Sequence, residues 1–243
     1  MARLLAKLYD PAMPAQGLTV ELIARTPLSG RVDRLRFAAR GPFRWAAGQH
    51  LVVVKAKGQA LFLPYSIASA YDRQRPGQFE LAAAVGAGAD VIDQLSIGEE
   101  LQIEGPSGAF VWQSAASPAA LLVGAGTGVA PLRALLEEEL ARTSQTRLIL
   151  IAGHRAPEDV LFGEDFARLA RQHARFRFVP TLTSASAAWP GERGRVQAQL
   201  RAAVQSLGPL DAYVCGRPAM VNEVVAALEQ DGVPAARIRS EGF

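Results

Sequence analysis

The stretch Leu121–Leu140, LLVGAGTGVAPLRALLEEEL, sets an apolar run, three alternating glycines and a proline in front of a helix-like segment. Glycines at 124, 126 and 128 let the backbone turn sharply and clear side chains away from its amides. The helix behind them offers unpaired N–H groups and the positive end of its dipole, a seat for a pyrophosphate. Pro131 falls in the first helical turn, where its missing N–H costs little. A loop of this kind after the first strand of an alternating α/β half stands at the carboxyl edge of a parallel sheet, where such folds take their ligands.

Downstream the alternation continues. ALLVGA is followed by VAPLRALLEEELART, RLILIAGH by EDFARLARQHA, RFRFVPTLT by RVQAQLRAAVQ, and DAYVCG by AMVNEVVAALEQDG. Short buried-strand runs separated by amphipathic segments of this length need crossover connections, hence a parallel sheet with helices on both faces. Upstream the rhythm is different. LTVELIART, RVDRLRFAA, QHLVVVKA, ALFLPYSIAS, QFELAAAV and EELQIEGP are short β-branched and aromatic runs divided by turn residues. Six strands so spaced predict a small antiparallel barrel or sandwich. Only ADVIDQLS breaks the series, as one short helix ended by Gly98. The expected organisation is therefore an antiparallel β half over 1–113 and an α/β half over 118–243, with the boundary near Gln113 to Pro118.

Composition narrows the classes of function. The 243 residues are 49% hydrophobic and 20% charged, and no run approaches the roughly 20 apolar residues that span a bilayer. The opening MARLLAKLYDPAMPAQG lacks the apolar core of a secretory signal, so the expectation is a cytoplasmic protein without a membrane span. A net charge of +3 carried by scattered arginines, without interleaved aromatics, gives no nucleic-acid stripe. The lone Cys215 excludes an internal disulfide and any all-cysteine iron–sulfur cluster in this chain. His50, His154 and His173 lack metal-ligand spacing, so no metal site and no histidine chemistry is expected. Hydrolase elbows, zinc-protease helices and a Walker lysine are all missing.

Three further stretches complete a pattern. AGHRAPEDVLFGEDFARLA at 152–170, YVCGRPAMVNEVV at 213–225 and LPYSIAS at 63–69, taken with GTGVAP at 126–131, resemble the ferredoxin–NADP reductase superfamily. The chain is most similar there to reductases that feed bacterial oxygenases and to small flavin reductases. The resemblance implies a flavin-binding barrel, a nicotinamide-binding domain, FAD or FMN as flavin, and NADH or NADPH as co-substrate. Electrons would leave to a separate ferredoxin-like protein or to free flavin, because the lone cysteine leaves no cluster in this chain. It further implies that Tyr65 lies against the flavin ring, that Ser66 bonds its N5 edge and that Ser69 sits near its polar tail. Gly124, Gly126, Thr127 and Gly128 would hold the dinucleotide pyrophosphate; Cys215, Gly216, Pro218 and Met220 would flank the nicotinamide; Glu241 and Phe243 of the SEGF ending would approach the flavin. Ser66, Cys215 and Glu241 are the residues expected nearest the chemistry.

The departures matter as much. Where the family pattern has an arginine for the flavin phosphate this chain has Leu63, and the second flavin loop, VGAGADVIDQLS, carries Asp90. A charged hydrogen bond of this kind is worth about 1.5–3 kcal/mol, so the flavin is expected to be weakly held or exchangeable. The strand before the ribose site ends TLTSAS, where Thr183 and Ser184 offer hydroxyls without an adjacent arginine, although Arg193 and Arg195 lie nearby in sequence. That favours NADH. Leu63 and Asp90 also support an alternative, a degenerate reductase that binds nucleotide as a partner or regulatory subunit without turnover.

Overall fold

A computed structural model describes residues 17–86, 91–113 and 118–243. The first half is a six-stranded antiparallel sheet in the order β4-β3-β6-β1-β2-β5, from β1 (Leu18–Ser29), β2 (Val32–Ala39), β3 (His50–Ala56), β4 (Gln59–Ser66), β5 (Gln78–Ala84) and β6 (Glu100–Ser107). Alternation drives it: in β2, Asp33, Leu35 and Phe37 turn inward and their neighbours outward. Val20, Leu22, Leu51, Val53, Leu81 and Ile103 join them in one core, where Phe37 and Phe79 stack at 5.6 Å. The two outer strands meet as well. Past the end of β4, Ala68 N–H donates to Glu80 C=O of β5 at 2.8 Å, which closes the sheet into a barrel.

In place of the expected short helix before β6 the described residues form a single 3-10 turn, Val91–Gln94. Asp93 explains its brevity. Its carboxylate accepts from Gly86 N–H at 3.0 Å and pairs with Arg25 at 2.6 Å, so the side chain fastens the segment to the barrel. Asp90 lies outside the described residues.

The second half is a parallel sheet in the order β10-β9-β8-β7-β11-β12. It comprises β7 (Ala119–Ala125), β8 (Arg147–His154), β9 (Phe176–Leu182), β10 (Glu192–Arg193), β11 (Asp211–Gly216) and β12 (Ile238–Gly242). The helices are α1 (Val129–Leu140), α2 (Gly163–Gln172), α3 (Gln197–Leu207) and α4 (Pro218–Gln230). Both faces are buried, which is why the strands read as unbroken apolar runs. Leu122 and Leu150 pack towards α1 and α2, whereas Leu121, Val123, Ile149 and Ile151 pack towards α3 and α4. The strands β10 and β12 were not expected from sequence; both are edges, β10 exposed and β12 half-exposed. No helix among the described residues is long and apolar enough to cross a membrane.

An aromatic clamp holds the chain where it leaves the barrel. Tyr213 of β11 stacks on Trp112 at 5.0 Å, meets Phe110 edge-on at 6.0 Å, and its hydroxyl accepts from Gln113 N–H at 3.0 Å. Replacing Tyr213 by Phe orphans that N–H and should cost about 1 kcal/mol, read as a lower urea midpoint with an unchanged slope. Tyr213→Ala removes the stack as well and should cost about 3–5 kcal/mol in the same titration.

Candidate functional site

Between the two halves lies an apolar crevice of about 310 Å³. The barrel supplies His50, Leu63, Tyr65 and Ser66; the turn before α1 supplies Thr127 and the first turn of α1 Ala130; β12 and the residue after it supply Glu241, Gly242 and Phe243. Residues more than 170 positions apart in the chain thus share one wall, because the end of β4 faces the edge strand β12 of the parallel sheet. Antiparallel pairing sets His50 opposite Ser66 and Leu51 opposite Tyr65. His50 also meets Ser107, its Nε2 standing 3.1 Å from the hydroxyl.

The glycine-rich loop forms as read, but its glycines serve different ends. After β7 the chain makes a 3-10 turn, Gly126–Gly128, and enters α1. Gly126 adopts φ +55 and faces open space, the position where a side chain is absent in favour of a ligand. At Gly128 a Cβ would lie 2.3 Å from the carbonyl oxygen of Cys215, so this glycine exists to let the turn rest on β11. Gly124 gives way to Leu132 of α1 in the same manner, at 2.7 Å. Pro131 is buried in the first turn of α1, and its neighbour Ala130 borders the crevice instead.

The β11 end arranges the remaining candidates. Cys215 is paired in register with Gly124 on one side and Glu241 on the other. Its side chain is fully buried in the α1 core and does not line the crevice, since strand alternation turns it inward. Burial, with Glu241 beside it, pushes its thiol well above the usual range, so it is neutral. Gly216 and Pro218 make the turn into α4, and Met220 packs against the face shared by α3 and α4. Phe243 N–H donates to Gly216 C=O at 3.2 Å, which lays the half-exposed terminal ring along the crevice. Burial pushes the Glu241 carboxyl up to about 7.

Two expected residues stand elsewhere. Ser69 is not brought to the crevice: its hydroxyl accepts from Glu80 N–H at 3.1 Å, and it lines a separate polar cleft. Thr183 is exposed past the end of β9, its N–H bonded to His154 C=O at 3.1 Å. Arg193 cannot reach it freely, because its guanidinium holds the carbonyls of Ser186 at 2.8 Å and Trp189 at 3.0 Å. Arg195 points outward, 76% exposed. His154 is buried and its imidazole is pushed down to about 4 by burial, so it is neutral. Among the described residues no group of three or more His, Cys, Asp or Glu could hold a metal ion.

Sequence reasoning missed His50 and Ser107. Counting from the Lys57-Gly58 turn sets Tyr65 opposite His50; a bulge between Val53 and Lys55 shifts the pairing by one and puts Ser66 there. For a flavin the fit is divided. An apolar slot with an aromatic ring at Tyr65 and a hydroxyl at Ser66 suits a tricyclic ring edge, yet no lysine or arginine lines it among the described residues. Residues 87–90, where Asp90 falls, lie outside those described.

An antiparallel barrel and a parallel sheet meeting at such a crevice form the architecture of flavin-dependent reductases. Family models agree: residues 19–112 match the oxidoreductase FAD-binding domain and residues 122–226 the oxidoreductase NAD-binding domain. Ferredoxin–NADP reductase B of Sorangium cellulosum is 32% identical over 242 residues, spanning 94% of this chain and 98% of that protein. The NAD(P)H-flavin reductase of Aliivibrio fischeri is 30% identical, spanning 84% and 87%. The solved structure of Amycolatopsis cytochrome P450 reductase GcoB superposes with a TM-score of 0.82 at 26% identity, over 96% of this chain and 71% of that one. The chain belongs to the ferredoxin–NADP reductase superfamily.

The Glu241 carboxyl makes a prediction about stability. Its folded-state value is raised from 4.5 to about 7, so the fold holds this proton more tightly than the unfolded chain does. That contribution is present in full below pH 4.5 and is lost as pH climbs through about 7. It amounts to up to about 3 kcal/mol. Urea titrations at acid and alkaline pH should show the loss in the wild type and a smaller one in Glu241→Gln.

Proposed function

We propose that this protein is an NAD(P)H-dependent flavoprotein oxidoreductase that passes hydride from nicotinamide to a flavin in the crevice. Electrons then leave to a separate ferredoxin-like protein or to free flavin. The observation that carries the reading is the shared wall of Tyr65 and Ser66 from β4, Thr127 from the nucleotide loop and Glu241 from β12. Residues 1–113 serve as the flavin domain and 118–243 as the nucleotide domain.

A bound flavin supplies the two-electron acceptor. The chain supplies the rest. Tyr65 gives an apolar face, and the Ser66 hydroxyl gives a donor at the ring edge. Thr127 and the free amides at the start of α1 take the pyrophosphate of the dinucleotide. Glu241, neutral up to about pH 7, can donate a hydrogen bond where an ionised carboxylate would repel arriving negative charge. His50, braced by Ser107 opposite Ser66, puts an imidazole in the same wall as a hydrogen-bonding group. Backbone pairing of β12 with β11, Glu241 beside Cys215, fixes where Glu241 stands. No iron–sulfur cluster can be built from one cysteine, so the next carrier is another molecule. A reducing cytoplasm suits that free thiol.

Donor and flavin preference follow from the arginines. Arg193 is held by the carbonyls of the loop Ala185–Trp189 and so is kept from a 2′-phosphate at Thr183, which favours NADH; the exposed Arg155, whose C=O accepts from Ser184 N–H at 2.8 Å, is the arginine whose backbone adjoins that site. With Leu63 at the flavin-phosphate position, the ring and not the tail carries flavin recognition. Stopped-flow mixing with excess flavin should bleach its absorbance faster with NADH than with NADPH. No bleaching with either would leave the non-catalytic nucleotide-binding partner as the reading. Leu63→Arg should tighten FMN and FAD about tenfold to a hundredfold while leaving riboflavin unchanged, as measured by fluorescence quenching.

A further inference from the structure

Helix α1 has a second contact with the barrel, one turn beyond its crevice residues. Arg133, only 6% exposed, donates from Nη1 to Ala68 C=O at 2.8 Å and to Glu80 at 2.9 Å. Its Nη2 meets Glu137 at 2.8 Å, and its Nε stands 3.1 Å from Asp165 of α2. Glu137 in turn accepts from Ala70 N–H at 3.1 Å, and Glu138 accepts from Ala47 N–H at 3.2 Å. Ala68 and Ala70 are the residues two and four beyond Ser66 on the same strand path. The helix that begins with the nucleotide loop therefore grips the backbone that carries the flavin-side serine.

Around this grip the charges are shared across the junction. Arg36 of β2 pairs with Glu80 at 2.8 Å, and Arg34 of β2 pairs with Asp165 at 2.6 Å. The ring of Phe162 lies under both Arg34 and Arg133, at 5.0 and 4.8 Å. The barrel contributes two arginines and one carboxylate, the nucleotide half one arginine and two carboxylates. Two of these pairs cross the junction, Arg34 with Asp165 and Arg133 with Glu80, and Arg168 of α2 adds a longer contact to Asp165 at 3.9 Å. Apolar residues of similar volume often stabilise a buried junction as well as an ion network does, so stability does not explain the choice. A fork of donors fixes direction and distance, which an apolar contact does not.

We propose that Arg133 is a positioning residue for hydride transfer: by holding Ala68 C=O, Glu80, Glu137 and Asp165 together it sets the distance between the Ser66 strand and the Thr127 loop. The inference rests on the reductase reading for its kinetic consequence, but not for its geometric one. A displacement of about 1 Å at a reacting pair can cost on the order of 100-fold in rate. The affinities of flavin and nucleotide, set by their own contacts, stay as they are.

Two measurements test it on the full chain. Nitroxide labels at Gln59→Cys on the barrel and Ala202→Cys on α3 are exposed and away from the crevice, and the native Cys215 is buried. Pulsed electron resonance should give a narrow distance distribution that broadens in Arg133→Lys and in the charge-balanced pair Arg133→Met with Glu137→Gln. An unchanged distribution in both overturns the proposal whether or not the protein reduces flavin. The same variants should lower the limiting rate of flavin reduction by at least about tenfold. Their isotope effect with C4-deuterated nicotinamide should rise, and both dissociation constants should hold. A loss confined to the dissociation constants also overturns it. Should neither Arg133 variant fold, Glu137→Ala, at a half-buried site, decides by the same two readouts. A wild type that reduces no flavin sinks the reductase reading alone, since the distance measurement still decides the role of Arg133.

Discussion

One contact between two backbones governs the nucleotide side of this molecule. The turn Gly126–Gly128 lies so close on β11 that no side chain larger than hydrogen fits between Gly128 and the Cys215 carbonyl. From that contact the axis of α1 is fixed, and with it both ends of the helix's work. Its first turn borders the crevice, and the next turn carries the buried guanidinium that reaches the barrel. Moving the turn outward by the width of a methyl group would displace both at once. Packing density, not flexibility, is what makes the loop a ligand seat.

The crevice itself is a low-polarity place, and burial shifts the titratable Glu241 at its wall and Cys215 behind it towards their neutral forms. Burial raises the Glu241 carboxyl to about 7 and lifts the Cys215 thiol far from ionisation. Fixed charge is concentrated instead in the neutralised network of Arg34, Arg36 and Arg133 with Glu80, Glu137 and Asp165. Such a division suits a site where charge arrives with a hydride. Dipoles and neutral donors act strongly in a medium of low dielectric.

Much of this architecture is legible in the chain, and the illegible parts share a cause. The barrel strands and the four α-helices declare themselves because burial imposes periods of 2 and 3.6 on the residue pattern. β12 stays hidden, since IRSEG pairs with one neighbour at an edge and buries no side chain fully. His50 reaches the crevice wall through a bulge that shifts register by one, and a bulge leaves no mark in composition. Ser69 lines a polar cleft apart from the crevice, and the bond its hydroxyl accepts from Glu80 N–H across the barrel is one that residue spacing does not announce. The charge network links Arg34 to Asp165 across 131 positions, a separation at which sequence patterning carries no information.

The position of Cys215 has a consequence for how this enzyme ages. Reduced flavins hand electrons to dioxygen as well as to their intended acceptors, and the peroxide so formed attacks thiolates first. Here the sole sulfur nucleophile stands one strand from the crevice, yet it is walled into the core and held as a thiol. Leakage of electrons during idle turnover therefore spares the molecule the sulfenic acid and intermolecular cross-links that an exposed thiolate at the same address would accumulate.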